Sequence, residues 1–111
     1  MNIPTITRTE LHERLGSVVL IEALPEAHYA VEHIPTALNV PGPLSAEIAQ
    51  SLAPDLGQAI VVYCSGQSCT RSRATAIAFT KLGYSNLAVY EGGKADWFDA
   101  GLPMERITTA A

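Results

Sequence analysis

The stretch Ala59-Ile60-Val61-Val62-Tyr63-Cys64-Ser65-Gly66-Gln67-Ser68-Cys69-Thr70-Arg71-Ser72-Arg73 decides how the rest of the chain reads. Ala59 to Tyr63 is an apolar run rich in β-branched residues, the mark of a buried strand. The run stops at Cys64. Seven small or polar residues follow, Ser65 to Arg71, and a helical pattern then holds from about Ser72 to Leu82. A cysteine therefore stands where a strand ends, one loop before a helix begins. The carboxyl end of a strand in an open parallel sheet is where ligands bind. A helix start offers unpaired N–H groups and the positive end of the helix dipole. Both favour a thiolate, the reactive form of cysteine.

Cys64 is thus a candidate nucleophile, cradled by the backbone N–H groups of Ser65, Gly66, Gln67, Ser68, Cys69, Thr70 and Arg71. The plainer alternative is a cysteine packed at a strand end as a small apolar residue. Arg71 and Arg73 open the following helix, where a cation is unfavourable for the helix itself. Either can aim a guanidinium at an anion held by the loop, and Arg71, adjoining the loop, is the better candidate. Cys69 lies five positions after Cys64. It is a candidate redox partner, a resolving thiol or one half of a protective disulfide, if the loop curls back. The reading preferred from sequence is an ordinary small loop residue.

The 111 residues suffice for one domain, taken as 1–111, and one core. Apolar residues make up 48 % of them and net charge is −4. That charge argues against nucleic acid or an anionic membrane as partner. Between Leu56 and Tyr90 there is no Asp or Glu, so the cysteine loop lies in a locally positive segment. Two cysteines do not make a disulfide scaffold. Met1-Asn2-Ile3-Pro4 lacks the basic start and apolar run of a signal peptide. No apolar stretch is long enough to span a bilayer. The expectation is a soluble, cytoplasmic protein with reduced thiols. No second Cys/His pair completes a zinc site, and no phosphate-binding or dinucleotide glycine motif occurs, so no metal and no cofactor are expected.

In chain order, Ile3 to Ile6 can open with a short strand. Thr7-Arg8-Thr9-Glu10 is a capping box for a helix that stops at Gly16. Ser17 to Ile21 reads as a strand buried on both faces, ended by Glu22 to Leu24. Pro25 leads a short helix over Glu26 to Val31. A short extended piece follows at Ala37 to Val40, and Ser45 caps a helix to about Leu52. After the cysteine loop and its helix, Gly83 is a helix-ending residue and Leu87 to Tyr90 a strand. Gly92-Gly93 is a turn needing positive φ or close backbone approach, before a short helix from Lys94 to Ala100. Trp97 is expected in the core, and His33 to fix its loop through a hydrogen bond. The alternation of strands and helices argues for a mainly parallel sheet covered on both faces.

Taken together these features resemble a single-domain rhodanese. Val19-Leu20-Ile21-Glu22, Glu26-Ala27-His28-Tyr29 and His33-Ile34-Pro35-Thr36-Ala37-Leu38-Asn39 are similar to that family's N-terminal signature. Val61-Val62-Tyr63-Cys64 with Arg71-Ser72 resembles its active-site strand and loop. Tyr90-Glu91-Gly92-Gly93-Lys94-Ala95-Asp96-Trp97, then Ala100-Gly101-Leu102-Pro103, resembles its C-terminal signature. The resemblance implies a three-layer α/β fold with a five-stranded parallel sheet flanked by helices on both faces. It implies a sulfurtransferase that carries a persulfide on Cys64 and binds substrate with the loop through Thr70 and Arg71. The implied partners are a small sulfur-containing anion such as thiosulfate or a low-molecular-weight persulfide, with cyanide, a thiol or a protein cysteine as acceptor.

The chain also departs from the family. Glu22-Ala23-Leu24 stands where an Asp-x-Arg sequence is usual, so a cation often found near the active site is missing, and Glu32 replaces a glycine. Six residues lie between Cys64 and Arg71, a longer loop than in rhodaneses or in their phosphatase and arsenate-reductase relatives. The pocket is then either wider, or filled by Cys69 folding inward. Two alternatives stay open: a phosphatase or arsenate reductase on the same Cys64 and Arg71, and a non-enzymatic thiol-redox sensor built on Cys64 and Cys69. Against the first, no acid lies in or close after the loop to protonate a leaving alkoxide.

Overall fold

A computed structural model describes residues 2–107. Four short strands form a parallel sheet: β1 (Val19–Glu22), β2 (Leu38–Asn39), β3 (Ile60–Tyr63) and β4 (Leu87–Tyr90), in the spatial order β2-β1-β3-β4. β3, which leads to Cys64, is therefore an inner strand, flanked by β1 and β4. Five helices connect and cover them: α1 (Arg8–Arg14), α2 (Glu26–Val31), α3 (Ala46–Leu52), α4 (Arg71–Lys81) and α5 (Gly93–Asp99).

Because successive strand residues point to opposite faces, the continuous apolar runs feed two cores. Ile21, Ile60, Val62, Leu87 and Val89 face one way, against Ala49 of α3 and Ala76 and Phe79 of α4. Leu20, Val61, Tyr63 and Tyr90 face the other, against Leu11 of α1 and Trp97 of α5. Trp97 is fully buried, as expected, and its Nε1 donates to Pro103 O at 2.9 Å. The result is a three-layer α/β arrangement.

The helix ends follow from local chemistry. The Thr7 hydroxyl accepts from Glu10 N–H at 3.1 Å and the Glu10 carboxylate accepts from Thr7 N–H at 3.0 Å, the reciprocal capping box. Ser45 Oγ accepts from Ile48 N–H at 3.1 Å and starts α3. Gly83 follows α4 with φ of +103°, a conformation that favours glycine.

Two expectations need correction. Among the described residues the sheet has four strands, not five. The Ile3 to Ile6 segment runs beside β4 but makes one parallel bridge, Thr5 to Val89, with Ile6 N–H donating to Val89 O and Val89 N–H to Pro4 O. Pro4 has no N–H to extend the ladder. Ile3 and Ile6 still bury in the two opposite cores, as strand residues do. The second correction concerns Glu22, expected to end the strand before it. It is the last residue of β1, and it is wholly buried. A buried carboxylate is tolerated only when paired and hydrogen-bonded. Here the Tyr63 hydroxyl donates to Oε1 at 2.6 Å, and Lys94 Nζ lies 3.0 Å from Oε2.

Candidate active site

Cys64 is the first residue beyond β3 and is 1 % exposed. Its backbone is held from the far end of the chain. Lys94 N–H donates to Cys64 O and Ala95 N–H donates to Ser65 O, both at 2.9 Å, so the first turn of α5 clamps the start of the loop. Gly93 makes this approach feasible. Its φ is +67°, and a β-carbon there would stand 2.6 Å from Cys64 O and 2.7 Å from Gly66 N. No side chain fits in that space.

The loop then turns back on itself, with Cys69 N–H donating to Gly66 O at 3.1 Å. The turn brings Cys69 to Cys64, and the two sulfurs are joined by a disulfide with a Cα–Cα separation of 6.4 Å. Cys69 is therefore not the ordinary small loop residue preferred from the sequence. The longer loop is taken up by Cys69 folding inward. Cys69 N–H, spent on Gly66 O, is not free to hold an anion. The N–H groups of Ser65, Gly66, Gln67, Ser68 and Thr70 find no backbone acceptor among the described residues. Ser65, Gln67, Ser68 and Thr70 are exposed, while Gly66 and Cys69 are half-buried.

α4 begins directly after Thr70, which makes no side-chain cap. Its core face carries Ser72, Ala76 and Phe79, one helical turn apart. Ser72, on that face, is buried and places its hydroxyl 3.5 Å from Cys64 Sγ, where the O–H can donate to a sulfur anion. Sequence reasoning gave Ser72 no role. The signal was present in the helical period, which sets Ser72 in line with Ala76 and Phe79.

The two arginines part company. Arg73 pairs with Glu91 at 3.2 Å and reaches Ile3 O at 3.5 Å, turned toward the N-terminal segment and the β4–α5 turn. Arg71 is exposed and makes no ion pair among the described residues. It lines a groove of about 490 Å³ with Ala23, Val40, Pro43, Leu44 and Thr75. None of Ser65 to Thr70 lines that groove. His33 fixes its own loop, with Nδ1 2.8 Å from Tyr29 O and its backbone paired to Glu105.

Behind the cysteine loop, Lys94 ties three segments together. Besides Glu22, its ammonium donates to His28 O at 3.1 Å and to Glu32 O, at the end of α2. Tyr63 continues the network: its hydroxyl donates to Glu22 and accepts from Ile34 N–H at 3.1 Å. Burial first, and then the Glu22 carboxylate, push the Tyr63 phenol far above its ordinary value, so it stays a donor. Lys94 from α5 is thus the cation that meets Glu22, and it is committed to structure.

The profile of the rhodanese-like domain matches residues 7–100. The chain belongs to the rhodanese-like domain family. Among curated relatives, an HTH-type transcriptional regulator of Mycobacterium tuberculosis is 35 % identical over 103 residues, covering 90 % of this chain and 44 % of that protein. The thiosulfate:glutathione sulfurtransferase of Saccharomyces cerevisiae is 30 % identical over 97 residues, covering 77 % of this chain and 68 % of the yeast protein. The chain thus spans less than half of the regulator's length. Among solved structures, the human single-domain sulfurtransferase superposes with a TM-score of 0.72 at 25 % identity, covering 88 % of this chain and 97 % of the human one. A Bacillus halodurans protein superposes with a TM-score of 0.83 at 21 % identity over 94 % of this chain and 77 % of that one, a likeness of fold.

Proposed function

We propose that this rhodanese-like domain is a sulfurtransferase that carries sulfane sulfur on Cys64. One observation carries the reading: Cys64 Sγ lies at the end of an inner strand, with the Ser72 hydroxyl of the α4 first turn 3.5 Å away. The helix dipole, the free loop N–H groups and that hydroxyl all stabilise negative charge on sulfur. In the structure Cys64 is bonded to Cys69, so turnover begins with reduction.

The reduced Cys64 thiolate attacks the outer sulfur of thiosulfate. The sulfur–sulfur bond of thiosulfate breaks, sulfite leaves with the electron pair, and Cys64 becomes a persulfide. A thiol or cyanide then takes the sulfur, which makes the kinetics ping-pong. Arg71, which follows the loop directly in sequence and makes no ion pair among the described residues, orients the donor anion. The partners are a small sulfur-containing anion or a low-molecular-weight persulfide on the donor side and a thiol on the acceptor side, in a reducing compartment such as the cytoplasm.

Release of sulfite tests this. Reduced protein, freed of reductant and mixed with thiosulfate, releases one sulfite per Cys64, and Cys64→Ser releases none. Sulfite release that survives Cys64→Ser contradicts the assignment. The Cys64–Cys69 bond favours a second reading, a thiol-redox module that does not turn over. It requires a reductant-reversible bond and no sulfite.

A further inference from the structure

We infer that Cys69 discharges the Cys64 persulfide as hydrogen sulfide, so that the domain reduces sulfane sulfur as well as passing it on. The inference rests on the sulfurtransferase reading and adds a second catalytic residue to it. Its basis is the position of Cys69. A persulfide can be attacked at either sulfur, and the two attacks give different products. The fold already brings Cys69 Sγ to bonding contact with Cys64 Sγ, which is the inner sulfur of any persulfide formed there. The Cα–Cα separation of 6.4 Å lies within the range of disulfides. The backbone holds that relation: α5 amides pin Cys64 O and Ser65 O, and the Gly66–Cys69 turn curls the loop inward.

The step balances. Cys69 thiolate attacks Cys64 Sγ, the bond between Sγ and the sulfane sulfur breaks, and that sulfur leaves as HS⁻ with the bonding electron pair. The sulfane sulfur is reduced to sulfide, and the two cysteine thiols are oxidised to the disulfide. An external dithiol restores the protein. Cys64 is 1 % exposed while Cys69 is half-buried, so the dithiol reaches Cys69. Cys64 then leaves as the thiolate stabilised by the start of α4 and by Ser72. A stabilised leaving thiolate speeds exchange. The dithiol closes to its own disulfide and Cys64 is ready for another donor. The disulfide is thus an intermediate of the cycle, and the net reaction turns thiosulfate and a dithiol into sulfite, sulfide and an oxidised dithiol.

A single-turnover experiment decides it. Reduced protein, freed of reductant, is mixed with one equivalent of thiosulfate carrying a heavy isotope in its outer sulfur. Sulfite, labelled sulfide and intact protein mass are followed together. The expected result is one sulfite and one labelled sulfide per protein, with the protein lighter by two hydrogens. Cys69→Ser and Cys69→Ala, checked for folding by circular dichroism, are expected to release sulfite, release no sulfide and retain the label. Sulfite with the label retained on the unsubstituted protein, on either cysteine, overturns the discharge step and leaves the sulfurtransferase reading standing. No sulfite overturns both.

Discussion

At Gly93 a β-carbon would meet Cys64 O at 2.6 Å and the φ of +67° would be strained for any other residue. Gly93→Ala is therefore expected to cost about 2 kcal/mol or more, since a strained backbone residue alone costs about 1–3. The clash falls on the carbonyl of the nucleophile itself, so sulfite release is expected to drop with stability. Urea midpoints and single-turnover sulfite release check the two effects. The Glu22–Lys94 pair is the second residue-scale test. Removing one partner of a buried ion pair costs about 3–5 kcal/mol. Lys94→Met is expected to fall in that range. The double variant Glu22→Gln/Lys94→Met is expected to lose clearly less than the sum of the two single losses. Additivity within about 0.5 kcal/mol would contradict the coupling. Neither partner was legible as a pair in the sequence, because 72 positions separate them. The clue was thermodynamic: a carboxylate ending a fully apolar strand requires a partner.

Among the elements, the sequence was most informative where period and chemistry agree. β4 runs over Leu87–Tyr90 as read, α2 over Glu26–Val31, and Ser45 and Thr7 cap the helices expected of them. Ser45→Ala is expected to cost about 1 kcal/mol, the usual loss for a serine cap, with no change in sulfite release. A large loss of activity would mean that α3 acts on the site. The α1 cap has a pH signature. Hydrogen bonds from the Thr7 backbone and side chain hold Glu10 below its ordinary pKa, so its contribution is present above that value and is lost as pH falls through the lowered one. The protection of amides at the α1 N-terminus, relative to their intrinsic exchange rates at each pH, is expected to fall in acid. Local reading fell short at the Ile3 to Ile6 segment, which can form a short strand by sequence but which the missing N–H of Pro4 limits to one bridge.

For the molecule as a whole, a sheet covered on both faces and the position of Cys64 at a strand end were legible, because both follow from apolar runs of strand length. The division of the buried side chains into two clusters, where one core was expected, was not. The pairing of Cys64 with Cys69 was not. A spacing of five leaves the loop free to open or curl, and its curl depends on α5 amides some thirty positions away. No helix among the described residues is long and apolar enough to cross a membrane. Global stability is expected to fall in alkali. Burial, followed by neighbouring carboxylates, raises the pKa of Tyr63, Tyr90 and Tyr29. Above about pH 10 the unfolded chain gives up phenolic protons that the folded one keeps. Urea midpoints are expected to hold steady up to that pH and decline above it. A midpoint that rises there would contradict the burial argument. The central claim, that Cys64 carries the sulfur, is tested most directly on Cys69→Ser, where nothing discharges it. After thiosulfate treatment and desalting, peptide mass mapping is expected to find one additional sulfur on the peptide containing Cys64, removable by reductant. An unmodified Cys64, with no sulfite released, would contradict the account.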